Sequence, residues 1–310
     1  MPIPNELGID ISAWRPGQED IIQQIVLGLQ EVDTVIVDAP PAVGKTVIAV
    51  AAASVLGLRT LFMTGTKALQ KQYGDAPTSL PIVTGRDNHP CTYIVGVSAA
   101  LGPCQWWSEC PDRHGPCPYF QQRDFAIGAP MAVANYALVL SDPDGIFLEG
   151  RDLIIADECH MLEGLGAQYL GVEVDLEMAE KWSENPTPLP AETTSHAYRG
   201  WAEASYKALC EACDYQEGRV EERNGKIRSK GLEFIKRLSR LRDAVARLLN
   251  IDESWVPKIS ERDLEGRPKT LLFVPTDLAP LIQNHLWQPG VKRILMSGSI
   301  GDVDALATAT

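Results

Sequence analysis

The segment Ala39-Pro-Pro-Ala-Val-Gly44-Lys45-Thr46 has the spacing of a phosphate-binding loop, with Ala39 standing where the first glycine is usual. In such a loop, backbone N–H groups and the start of the following helix cradle phosphate oxygens. Here these groups belong to Ala42, Val43, Gly44, Lys45, Thr46 and Val47. Lys45 supplies the charge for the β- and γ-phosphates of ATP, and the Thr46 hydroxyl a ligand for Mg2+. A second chemical group lies further on, at Leu153-Ile-Ile-Ala-Asp157-Glu158-Cys159-His160. A carboxylate at the end of an apolar strand beside a phosphate loop can hold Mg2+, the role of Asp157. Its neighbour Glu158 can orient and deprotonate an attacking water. Alone, the carboxylate pair reads as two solvated acids at a strand end; with a phosphate loop in the same chain it points to nucleotide hydrolysis.

The third group is Cys91, Cys104, Cys110 and Cys117, spaced C-x12-C-x5-C-x6-C. The chain around them is rich in Pro and Gly and shows no helical or strand period. Such a segment buries too little apolar area to order itself, and a metal centre would do so. Four thiolates can hold a tetrahedral zinc or an iron–sulfur cube. Structural zinc favours tight C-x2-4-C pairs, and none occurs among these four, so the spacing leans towards the cluster. Cys210 and Cys213 form one C-x2-C pair without a companion and read as neighbouring thiols on a helix. Trp106 and Trp107 read as packing aromatics, with base stacking the alternative.

These groups need elements to position them. Thr34–Asp38 is a β-branched run read as a buried strand, followed by the loop and a helix over Val47–Leu56. That order is the one a phosphate loop requires. Ile21–Leu29 has helical spacing. Thr60–Met63, Met131–Ala134, Leu153–Ala156, Thr270–Val274 and Arg293–Met296 read as further core strands, with Pro81–Thr84 another candidate. Gly231–Asn250 reads as an amphipathic helix with Leu232, Ile235, Leu238, Leu241, Val245 and Leu248 on one face. The fold class is therefore α/β, a parallel sheet interrupted by a cysteine-rich insertion and a mostly helical one. The expected divisions are 1–88, 126–165 and 269–310 for the core, 89–125 for the cysteine segment and 166–268 for the helical insertion.

The chain of 310 residues carries 28 basic and 41 acidic residues, a net charge of −13. As a whole-chain sum this argues against a nucleic-acid partner, but only the binding face must be positive. From Arg219 to Arg247 there are ten basic residues and four acidic ones, which suits either a phosphate track or an ordinary solvated helix. No unbroken apolar run of about 18 residues exists, so no membrane span is expected. The N-terminal residues lack a signal-peptide pattern, which makes the cytoplasm the expected compartment and reduced thiols the expected state.

The Asp-Glu-Cys-His string resembles the DEAH-type box of superfamily 2 helicases, and other pieces follow in that family's order. Arg15-Pro-Gly-Gln18 resembles the adenine-reading segment, which implies that Gln18 pairs with the base and Arg15 supports it. Thr64-Gly-Thr66-Lys67-Ala-Leu69-Gln70-Lys-Gln72 resembles motif Ia, and Ser297-Gly298-Ser299 resembles motif III. Gly85-Arg86-Asp-Asn88-His-Pro-Cys91 is similar to the lead-in to the first cluster cysteine of XPD/DinG-type helicases, and Cys117-Pro118-Tyr119-Phe120 to their last-cysteine segment. Ala134-Asn135-Tyr136-Ala137-Leu138 is similar to the element before their DEAH box. His89-Pro90 and the wide middle cysteine spacing depart from the pattern.

The resemblance implies the first RecA-like motor domain of an XPD/DinG-like helicase, with a 4Fe-4S cluster on the four cysteines and a helical arch. It implies ATP and Mg2+ as cofactors and single-stranded DNA as partner, touched by Thr64, Thr66, Lys67, Asn135 and Tyr136, with 5′-to-3′ movement. No second motor domain is read in these residues. The expectation is that it comes from another polypeptide or from a longer chain, and that this chain alone turns over ATP poorly. The competing functions are a nucleotide- and DNA-binding regulator without motor activity, a redox-sensing iron–sulfur DNA-binding protein, and a nuclease or RNA remodeller.

Overall fold

A computed structural model describes residues 1–40, 42–75, 77–105, 110–183, 188–222 and 229–298. Trp106, Trp107, Ser299 and part of the Arg219–Arg247 segment lie outside them. The chain runs through α1 (Gln18–Glu31), β1 (Thr34–Asp38), α2 (Lys45–Leu56), β2 (Thr60–Thr64) and α3 (Lys67–Gly74). It continues through α4 (Pro118–Gly128), β3 (Met131–Asn135), α5 (Tyr136–Leu140), β4 (Leu153–Asp157), α6 (Leu162–Leu170), β5 (Val172–Asp175) and α7 (Leu176–Ser183). The last elements are α8 (Ser195–Glu222), α9 (Ser229–Leu248), β6 (Trp255–Arg262), β7 (Pro268–Pro275), α10 (Ala279–Leu286) and β8 (Lys292–Ser297).

Residues divide into two compact units. The first comprises residues 1–84, 121–166 and 279–310 and is built on a parallel sheet in the order β1-β8-β4-β2-β3. Strands β2 and β4 are buried along their whole length, as apolar strands covered on both faces must be. Helix α2 reaches the sheet closely because Ala49, Ala51, Ala52 and Ala53 line its buried side. The order of strands matters for chemistry. β8, last in the chain, lies between β1 and β4, so Ser297 is register partner to Asp38, and Met296 to Asp157. Three loops from distant sequence therefore leave the same edge of the sheet side by side.

The second unit comprises residues 85–120 and 167–278. It carries the cysteine segment, helices α7, α8 and α9, and an antiparallel sheet in the order β5-β7-β6. Helix α9 buries the stripe Leu232, Ile235, Leu238, Leu241, Val245 and Leu248 that its periodicity predicts. Two expectations are corrected. Thr270–Val274 is a strand, but it pairs with β5 and β6 rather than joining the parallel sheet. An apolar run of this length states that a strand is buried and does not say in which sheet. The second insertion is mostly helical among the described residues, and it carries this small sheet as well. Pro81–Thr84 makes a single parallel bridge, Ile82 to Val133, rather than a strand of its own.

Arg151 ties the first unit together from the opposite edge of the sheet. It is 5% exposed and donates to the carbonyls of Ala129 at 2.8 Å and Ala126 at 2.9 Å, with longer contacts to Thr60, Ile127 and Phe147. Its partners are all carbonyl oxygens, and burial lowers its pKa to about 10. Replacing it strands several buried acceptors. Arg151→Met should therefore lower stability by about 2–4 kcal/mol, read as a fall in the thermal unfolding midpoint; an unchanged midpoint would show that water satisfies these carbonyls equally well.

Candidate nucleotide and cysteine sites

Gly44 adopts φ 88 and Ala42 φ 71, and Gly44 is the residue before the first turn of α2. Positive φ at alternate loop positions turns successive N–H groups to one side and makes an anion-binding nest. A Cβ on Gly44 would stand 2.5 Å from Nε2 of Gln18, so the loop closes onto that glutamine only with glycine there. Gln18 is buried, accepts from the Arg15 N–H at 3.0 Å and donates to the Val43 carbonyl at 2.9 Å. Arg15 in turn donates to the Ala42 carbonyl at 3.2 Å. Arg15, Gln18, Gly44 and Val47 line a cleft of about 500 Å³ beside the loop, together with residues 10–13 and Pro77. The segment sensed in sequence as an adenine reader is thus bound to the phosphate loop itself.

At the carboxyl edge of the sheet the Lys45 ammonium meets Glu158 Oε1 at 3.0 Å and the Ala39 carbonyl at 3.5 Å. Burial works against the Glu158 carboxylate, but the hydrogen bond and charge of Lys45 outweigh it and hold its pKa below the ordinary value. Ser297 Oγ donates to Glu158 Oε2 at 3.3 Å, His160 Nδ1 lies 2.8 Å from the same hydroxyl, and the Gly298 backbone also bonds Glu158. Glu158 has φ 54, a left-handed conformation that turns its side chain out from the end of β4.

Asp157 is 2% exposed, and burial is the main cause that raises its pKa. Its Oδ2 accepts from the Tyr73 hydroxyl and its Oδ1 from the Glu158 N–H, both at 3.0 Å. Lys45, Asp157, Glu158 and Ser297 therefore converge, with Thr46 next to Lys45 at the start of α2 and a buried tyrosine bonded to Asp157. Tyr73 was not among the sequence-derived candidates. Nothing in a lone tyrosine on a helix distinguishes it from a packing residue.

The candidates for nucleic-acid contact are gathered at the neighbouring strand ends, where Thr64 and Asn135 are register partners. Thr66 and Asn135 cap α3 and α5, accepting from the N–H groups of Leu69 at 3.2 Å and Leu138 at 2.8 Å. Thr66 and Lys67 are exposed. Thr64 and Tyr136 are not: both are fully buried, and the Tyr136 hydroxyl donates to the Asp157 carbonyl at 3.0 Å. The expectation that these two touch nucleic acid is corrected; a buried phenol bonded to the backbone braces the end of β4 instead.

In the second unit, Cys91, Cys110 and Cys117 are buried and Cys104 is half-buried. The thiol of Cys104 is influenced by Cys110, Cys91 and Cys117, after burial and Arg86, so the four sulfurs share one neighbourhood. Among the described residues no group of three or more side chains has metal-binding geometry. The chemistry of the surroundings nevertheless suits a sulfur-rich metal centre. Arg86 Nε and Thr92 Oγ1 are buried without a hydrogen-bond partner, and a Cβ on Gly102 would lie 2.9 Å from the Cys91 sulfur. Unpaired buried donors beside four thiols are what a sulfur-rich acceptor would satisfy. Burial pushes the thiols of Cys159 and Cys213 up to about 12, which makes them poor ligands.

The basic residues of α9 are largely engaged within the unit. Arg237 pairs with Asp175 and Glu177, Arg242 with Glu217 and Asp243, and Lys236 lies 4.0 Å from Asp87. Arg247 donates to the Leu170 carbonyl. Among these described residues, the local positive excess serves packing as much as it offers a track. No helix of the described residues is long and apolar enough to cross a membrane.

No protein-family model matches the chain. It is 23% identical over 231 residues to the ATP-dependent DNA helicase YoaA of Haemophilus influenzae, a match covering 54% of this chain and 36% of that protein. The chain thus spans about a third of the curated relative's length. Its fold matches a solved XPD helicase with TM-score 0.60 at 14% identity, over 95% of this chain and 60% of that one. A truncated XPD matches with TM-score 0.57 at 14% identity, over 93% of this chain and 95% of the other. The motifs, the relative and the fold agree: the chain resembles a fragment of an XPD/DinG-like helicase.

Proposed function

We propose that these residues form the first motor domain of an ATP-driven DNA helicase of XPD/DinG type, moving 5′ to 3′ on single-stranded DNA. The observation that carries this is the convergence of Lys45, Asp157, Glu158 and Ser297 at one edge of a parallel sheet. ATP enters with its base in the cleft beside Gln18 and its phosphates on the N–H groups of residues 42–47. The phosphates compete with Glu158 for Lys45, and their binding releases the glutamate to face water. Thr46 and Asp157 would hold Mg2+, which neutralises charge on the phosphates when bound. Ser297 and His160 keep Glu158 oriented as Lys45 leaves it. Lys45→Ala should weaken nucleotide binding about 10- to 100-fold, measured by titration with a fluorescent ADP analogue; unchanged affinity sinks the assignment.

Exposed Thr66 and Lys67, with Asn135, are the residues of this unit that reach DNA in this reading. An arginine supplied by a second motor domain would complete the transition state, a contribution of several orders of magnitude in rate. ATP turnover with and without single-stranded DNA is the direct test. DNA-stimulated turnover once a second motor domain is supplied supports the motor. Nucleotide binding that no such domain converts to turnover supports a regulator instead.

We also infer that Cys91, Cys104, Cys110 and Cys117 hold a 4Fe-4S cluster. Its contribution when bound is a four-point cross-link across a segment with few apolar contacts of its own. Cys104→Ser should bleach a brown protein prepared without oxygen and lower its iron content while Lys45-dependent nucleotide binding persists. Full iron content in that variant would mean that the ligand set is wrong, and stoichiometric zinc in the unaltered protein would replace the cluster.

A further inference from the structure

Tyr73 has no accessible surface, and its hydroxyl is 3.0 Å from Asp157 Oδ2. The ring packs against Phe62 with centroids 5.2 Å apart. A phenylalanine would fill the same space without burying a polar group, so the hydroxyl must offset its own desolvation through what it bonds. It bonds the carboxylate at the end of β4, 84 residues away in sequence.

The tyrosine is itself firmly held. Gln70, one turn earlier in α3, donates to the carbonyls of Val83 at 2.6 Å and Val133 at 3.2 Å. The Thr78 hydroxyl donates to the Tyr73 carbonyl at 2.7 Å. Asp157 has one donor on each oxygen, Tyr73 on Oδ2 and the Glu158 N–H on Oδ1. A carboxylate has about four lone-pair sites, so two donors fix its plane and leave sites for a cation.

We propose that Tyr73 is a positioning residue that sets the Asp157 carboxylate for Mg2+. This rests on the nucleotide-site reading above and adds a residue to it. Partners one bond removed from a metal typically change metal affinity or activity by about 10- to 100-fold when lost.

The test is Tyr73→Phe, which keeps the ring in place. Binding of a fluorescent ADP analogue is titrated at increasing Mg2+ and in its absence, and Mn2+ affinity of the ADP complex is read by electron paramagnetic resonance. The expected result is a rise of about 10-fold or more in the metal concentration at half-saturation, with metal-free ADP affinity unchanged. An unchanged metal dependence overturns the proposal. So does an equal loss of metal-free and metal-bound affinity, because the tyrosine would then act through packing alone. If the unaltered protein fails to bind ADP at all, the nucleotide-site reading falls first and this inference with it.

Discussion

A half-buried ammonium and a half-buried carboxylate face each other across 3.0 Å at the edge of the parallel sheet. Neither Lys45 nor Glu158 could be held there singly without a cost in desolvation, and the pair is stable because each supplies the other's counter-charge. The rest of the first unit can be understood as what keeps these two groups opposed. Lys45 opens α2 because β1 ends at Asp38 and the loop turns through Ala42 and Gly44. Glu158 leaves β4 in a left-handed conformation, and β8 lies between those two strands. In the proposed reading a phosphate displaces Glu158 from Lys45, since it offers more negative charge than one carboxylate does.

Beneath that half-buried pair lies a fully buried layer. Tyr73 and Tyr136 both direct hydroxyls to Asp157, one to its side chain and one to its backbone. Burial holds both phenols well above their usual pKa, so they stay protonated donors. Two buried phenols on one aspartate define where the end of β4 stands, at the cost of removing Tyr136 from any nucleic-acid surface.

The second unit faces a different problem. Its cysteine segment has no long helix or strand of its own among the described residues, and Cys91 and Ile94 pack with Leu232 and Ile235 of α9. The two insertions, far apart in sequence, therefore share one core. The same helix engages its cations with Asp175, Glu177 and Glu217. Net composition over such a helix is a poor guide to the charge it offers a ligand, because pairing within the fold is invisible to a count.

Much of this was legible in the residues alone. Five apolar runs were strands of one parallel sheet, and the stripe from Leu232 to Leu248 was a buried helix face, because period and β-branching act locally. The loop after β1 and the Asp157–Glu158 pair stood out because nucleotide chemistry requires fixed residue types at short spacing, and the structure brings them to one edge of the sheet. Tertiary structure alone decided three things. It put β7 in the antiparallel sheet, since a run of buried residues carries no address. It made Tyr73 a partner of Asp157, since the two are 84 residues apart and meet only through the sheet. It buried Thr64 and Tyr136, since exposure depends on what packs above a residue and not on the motif that contains it.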